Sequence, residues 1–184
     1  MDFELLKNLC LLNGTWGDEK NVRDYIISNL PENCDYTVDP IGNLIVNKKG
    51  GKEPENKVAL FAHMDEVGFM VTGITDSGAI KFGTVGGIDP LCLGAKRVVS
   101  ESGVKGNIVA KPIHLLTAEE RGHAPKIKNL SIDNGANHKK EAEALTFVGD
   151  YFTFDTEYQE YGEGFIKCKA LDDRLGCAIM CQLI

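Results

Sequence analysis

His63 and Asp65 stand one residue apart, directly after the apolar run Val58-Ala59-Leu60-Phe61-Ala62. If extended geometry continues for two more residues, period-two alternation puts both side chains on one face. A carboxylate at that spacing can fix the ring orientation and tautomer of an imidazole, the support that metal-binding histidines need. The end of a buried α/β strand is also where such sheets place their ligands. An isolated His-x-Asp more often marks a hydrogen-bonded loop histidine. The string His-Met-Asp-Glu-Val-Gly after an apolar run is more specific.

The second candidate is Asp172-Asp173, within Ala170-Leu171-Asp172-Asp173-Arg174-Leu175-Gly176. Two acids before a helix suit the positive end of its dipole, so capping is one reading. A carboxylate bridging two metal ions would need the same rigid position, and the residues alone leave both readings open. Glu119-Glu120 invites a general-base role, but Arg121, His123 and nearby lysines surround it and no apolar strand delivers it to a pocket. It reads as a solvated turn. His114, His123 and His138 lack metal-ligand spacing and read as surface positions.

Elements must carry these residues. Leu5, Leu6, Leu9 and Leu12 follow helical spacing up to Asn13-Gly14. A second helix is expected from near Thr15, with Asp18 closing a weak capping box, and Pro31 stops it. Strands are expected at 36–38 and 43–46 around a Pro40-Ile41-Gly42 turn, then a polar loop from Asn47 to Lys57 that holds Pro54. Val58 to Ala62 has the pattern of a strand covered on both faces. From Gly68 to Gly106 there are 9 glycines in 39 residues, against 20 in 184 overall. Short β-rich pieces at 67–74, 79–85, 97–100 and 104–110 alternate there with turn signals, which suggests a small barrel or sandwich. A short helix at 139–145, a strand at 148–154 and a helix from Leu175 to Leu183 complete the pattern. The expectation is an α/β domain in two parts, 1–71 and 164–184, with a β-barrel inserted over 72–163.

Composition excludes several classes. With 20 Lys plus Arg against 27 Asp plus Glu, the net charge is −7, and 43% hydrophobic with 26% charged residues is ordinary for a globular chain. No basic stripe invites nucleic acid. No apolar run approaches the roughly 20 residues that span a bilayer, and the N-terminus has no secretion pattern. Six cysteines without a CxxC read as reduced structural thiols of a cytoplasmic protein.

Taken together the segments resemble one family, the cocatalytic metallo-aminopeptidases that include glutamyl, deblocking and tetrahedral aminopeptidases. The matching pieces, in the family's order, are Ala62-His63-Met64-Asp65-Glu66-Val67-Gly68-Phe69-Met70-Val71, Val85-Gly86-Gly87-Ile88-Asp89-Pro90, Pro112-Ile113-His114-Leu115-Leu116, Ile132-Asp133-Asn134-Gly135-Ala136, Val148-Gly149-Asp150 and Lys169 to Cys177. The resemblance implies an aminopeptidase-type α/β catalytic domain, incomplete here, with an inserted barrel that serves oligomerisation. It implies His63 as a metal ligand, Asp65 as the catalytic aspartate that orients it, and Asp172 as the carboxylate bridging two divalent ions, zinc or cobalt. Asp173 is then a structural neighbour. Peptides are the implied substrates of the complete enzyme, and a homo-oligomer through the barrel the implied assembly.

The sequence departs from the family pattern after Ile184. The catalytic Glu-Glu pair and the later ligands do not occur, and Glu119-Glu120 falls too early to be that pair. The expectation is therefore the N-terminal portion of an aminopeptidase, holding at most one ion weakly and inactive by itself. Two rival readings are a non-enzymatic self-assembly module and a glycoside hydrolase of cellulase type. The latter needs two carboxylates across a cleft, roughly 5–9.5 Å apart, whereas Asp172 and Asp173 are sequence neighbours.

Overall fold

A computed structural model describes residues 1–52 and 55–184, with the side chain of Glu120 left aside. Pro54, placed by the sequence in a polar loop, lies outside the described residues. In chain order the elements are α1 (Phe3–Leu11), α2 (Lys20–Ser28), β1 (Asp35–Val38), β2 (Leu44–Asn47), β3 (Gly68–Ile74), β4 (Ile80–Val85), β5 (Arg97–Ser100), β6 (Lys105–Val109), α3 (Ala118–Arg121), β7 (Ser131–Asp133), α4 (Lys139–Glu143), β8 (Tyr151–Phe154), β9 (Gln159–Tyr161), β10 (Phe165–Lys167) and α5 (Leu171–Leu183). They form two compact units, Met1–Glu66 with Glu157–Ile184, and Val67–Thr156. These boundaries fall a few residues earlier than 72 and 163 because all of β3 belongs to the barrel ladder, while the β9–β10 hairpin belongs to the first unit.

In the second unit, β3-β4-β7-β6-β5-β8 close into an antiparallel six-stranded barrel. Closure removes the exposed edges that short strands would otherwise present. Alternate residues point inward, so Phe69 and Val71 of β3, Ile80 and Phe82 of β4, Val98, Ile108, Ile132 and Phe152 make one core with Leu93 and Leu130. Phe69 meets Phe82 and Phe154 edge-on, with ring centroids 5.0 and 5.2 Å away. Gly106 is required by close approach, because a Cβ there would lie 2.6 Å from Ile132 Cγ2. The sequence pattern marks none of β7, β9 and β10; three residues each are too few for alternation to register.

The first unit packs α1, α2 and α5 around Leu6, Leu9, Cys10, Val22, Ile26, Cys177 and Ala178. Asp2 caps α1, accepting from the backbone N–H groups of Glu4 and Leu5 at 3.0 Å each. The expected capping box of α2 does not form. The helix begins at Lys20, Asp18 N–H donates to the Thr15 carbonyl in a turn, and Thr15 Oγ1 is buried without a hydrogen bond. Thr15 instead bridges Glu66 through backbone. β1 and β2 form the expected hairpin, with Gly42 at φ +93°.

The largest correction concerns Val58 to Ala62. This run belongs to no strand ladder among the described residues, and Val58 and Phe61 are 85% and 91% exposed. Apolar composition marks a segment as fit for burial, but a strand exists only where a neighbour supplies hydrogen bonds.

Candidate functional site

His63 is held between Asp65 and Asp172. His63 Nδ1 is 3.0 Å from Asp65 Oδ1, and His63 Nε2 is 3.0 Å from Asp172 Oδ1. The imidazole therefore sits between one carboxylate two residues away and another 109 residues along the chain. His63 and Asp65 share a face, as alternation requires, although the backbone that carries them is a loop and not a strand. Partial burial pulls the His63 pKa down, but the hydrogen bond with Asp172 and the charge of Asp65 outweigh it and hold it above its ordinary value. The Asp172 side chain is 96% exposed, so its second oxygen is open to a ligand.

The two readings of the acidic pair divide between its members. Asp173 Oδ1 accepts from Gly176 N–H at 3.0 Å and so caps the helical part of α5. Gly176 allows this approach, since a Cβ there would meet the Asp173 carboxylate at 2.5 Å. Asp172 and Asp173 both have non-helical backbone, and Ala170 before them is left-handed at φ +54°. That turn aims Asp172 away from the helix and towards His63.

Sequence reading missed the charges beneath the site. Glu66 and Lys169 are paired at 2.8 Å with side chains only 4% and 6% exposed, and Arg174 is fully buried 4.0 Å from Glu66. Lys169 also donates to Asn13 Oδ1 at 2.8 Å, and Glu66 Oε1 accepts from Gly14 N–H at 3.2 Å. Burial pushes Glu66 up and Lys169 down, and their mutual attraction offsets part of each shift. The available signal was an acid and two cations set among apolar neighbours, which no local pattern pairs.

Glu119 sits in the one-turn helix α3 and is exposed, as are His114, His123 and His138; the last pairs with Glu141 at 3.3 Å. None lies in the unit that holds His63. No group of three or more metal-binding side chains is present among the described residues. What fits an ion is the pair His63 Nε2 and Asp172 Oδ1, converging 3.0 Å apart with the ring held from behind by Asp65.

Relatives share this fold and about a third of the sequence. FrvX of Escherichia coli (strain K12) is 38% identical over all of this chain and 52% of its own length. The glutamyl aminopeptidase of Lactococcus lactis subsp. cremoris is 33% identical over 99% of this chain and 54% of its own. The solved TET1 peptidase of Pyrococcus horikoshii, which can assemble into a tetrahedron or a large octahedral shell, is 37% identical with a TM-score of 0.85, over 98% of this chain and 54% of that one. The chain thus spans about half the length of the relatives it matches. The M42 glutamyl aminopeptidase model matches residues 42–184, a stretch that contains both carboxylates, the histidine between them and the whole barrel, and the chain belongs to that family.

Proposed function

We propose that this chain contributes His63, Asp65 and Asp172 to a metal-dependent aminopeptidase site that removes N-terminal residues from peptides. The observation that carries the reading is the Asp65–His63–Asp172 contact set, with 3.0 Å at each ring nitrogen, in a member of this family. Asp65 accepts the Nδ1–H in a hydrogen bond, so Nε2, which faces Asp172 Oδ1 at 3.0 Å, is the nitrogen that would meet an ion once its own proton leaves. Asp172 offers one oxygen beside Nε2 and a second to solvent, the arrangement a bridging carboxylate requires. A divalent ion, zinc or cobalt, would supply polarisation of the scissile carbonyl and a more acidic water when bound there.

Two donors leave most of an ion's coordination to water, and a catalytic zinc site usually has three protein ligands. This polypeptide alone should hold at most one ion weakly and show no peptide hydrolysis. The test is calorimetric titration with zinc and cobalt, alongside hydrolysis of leucyl and glutamyl chromogenic amides. Weak binding lost in His63→Ala supports the reading. Two tightly held ions with chelator-sensitive turnover would overturn the statement that the chain is inactive alone.

Peptides are the proposed substrates of the complete enzyme, and copies of the chain are proposed to associate through the barrel. The shells formed by the Pyrococcus horikoshii relative support assembly, and a non-enzymatic self-assembly module would show the same light scattering without metal binding. A cytoplasmic location is supported by six free cysteines, and no described helix is long and apolar enough to cross a membrane. A cellulase-type reading is disfavoured because the His63 imidazole fills the space between Asp65 and Asp172 where a sugar would have to lie.

A further inference from the structure

We propose that Arg174 is a positioning residue that presets the His63–Asp172 pair before any ion arrives, an inference that rests on the metal-site reading above. Its guanidinium is fully buried and directs all three nitrogens to backbone carbonyls. Nε donates to Met64 O at 2.6 Å, Nη1 to Leu9 O and to Leu12 O at 3.3 Å, and Nη2 to Gly14 O at 3.4 Å. Met64 is the residue between His63 and Asp65. Arg174 itself lies two residues after Asp172, its N–H donating to Ala170 O at 3.1 Å. One planar side chain thus ties the loop that carries the imidazole to the turn that carries the carboxylate.

Three further contacts serve the same junction. Cys177 Sγ donates to His63 O at 3.3 Å from the next turn of α5. Glu66, directly after Asp65, supplies the counter-charge to both Arg174 and Lys169. Gly14 leaves room for the fork, because a Cβ there would lie 2.9 Å from Arg174 Nη2. A buried ion pair is weak support for stability, since apolar residues of similar volume often do as well. What an apolar residue cannot do is fix backbone carbonyls at set angles. Arginine is suited to this by its rigid fork, and lysine, a single rotatable point charge, is not.

The experiment compares the full chain with Arg174→Met and Arg174→Lys. Each is measured by thermal melting, by zinc calorimetry, and by the ¹⁵N signals of the His63 ring in the metal-free chain at pH 8. Both variants are expected to melt cooperatively. Zinc affinity should fall about 10- to 100-fold, the usual effect of losing a group that orients a ligand. The His63 ring ¹⁵N signals should shift in Arg174→Met, as its two carboxylate hydrogen bonds loosen, and shift less in Arg174→Lys. Unchanged affinity and unchanged ring signals in a folded variant would overturn the proposal. Loss of cooperative melting in both would make Arg174 a purely structural charge and overturn it equally. Should the unmodified chain bind no zinc while its ring signals still respond to Arg174→Met, the metal reading fails and the positioning role stands.

Discussion

His63 Nε2 lies 3.0 Å from Asp172 Oδ1, although 109 residues separate the two in sequence. The contact is made on a helix start whose second acid, Asp173, is occupied with capping. Removing either partner should therefore have different consequences. His63→Ala should abolish zinc binding. Asp172→Asn keeps the shape and one oxygen but removes the charge, and should weaken binding by about tenfold or more. Asp173→Asn, which can still cap, should leave zinc affinity within twofold. Calorimetry on the three variants distinguishes these outcomes, and equal losses at 172 and 173 would contradict the division of roles.

The exposed run Val58 to Phe61 should make the isolated chain associate. Val58, Leu60 and Phe61 are 85%, 56% and 91% exposed within four residues, and clustered exposed apolar side chains bind apolar surfaces. Hydrophobic-dye emission and light scattering should both fall in a Leu60→Ser, Phe61→Ser double variant. A monodisperse monomer with no dye emission before substitution would refute this.

Alkaline pH should destabilise the first unit. Burial pushes the Cys10 thiol up to about 12 and that of Cys177 up to about 11, from an ordinary 9.0. Between the ordinary and the raised value the folded chain keeps a proton that the unfolded chain has lost. The stabilising contribution of each thiol is therefore complete below pH 9 and lost as pH rises towards 11 to 12, at no more than about 1.4 kcal/mol per pH unit per thiol. Melting temperatures measured from pH 8 to 10.5 should fall, and less steeply in Cys177→Ala. Thiol alkylation at pH 8 should reach exposed Cys92 well before buried Cys10.

The barrel should depend on Phe69, which is fully buried and stacks edge-on with two rings. Phe69→Ala should cost about 3–5 kcal/mol. Gly106→Ala should cost about 1–3 kcal/mol through overpacking against Ile132. Chemical denaturation followed by circular dichroism measures both, and a neutral Gly106→Ala would mean that β6 can move away from β7.

Much of this was legible in the residues. The amphipathic spacing of Leu6 and Leu9 marks α1, and the glycine-punctuated short runs mark β3 to β6, because helix and strand periodicities are properties of neighbours in sequence. His63, Asp65 and Asp172 could be named because their strings are local and resemble a family. Pairing could not be read. Only the folded chain decides that Val58 to Ala62 lacks a ladder, since a strand's hydrogen bonds belong to another segment. Only the folded chain assigns capping to Asp173 and openness to Asp172, because the non-helical backbone at both acids sends their side chains different ways. The same holds for Glu66, Lys169 and Arg174. Lys169 bonds to Glu66 across 103 residues, past the acids beside it, because a charge withdrawn from water must find its hydrogen bonds wherever the fold provides them.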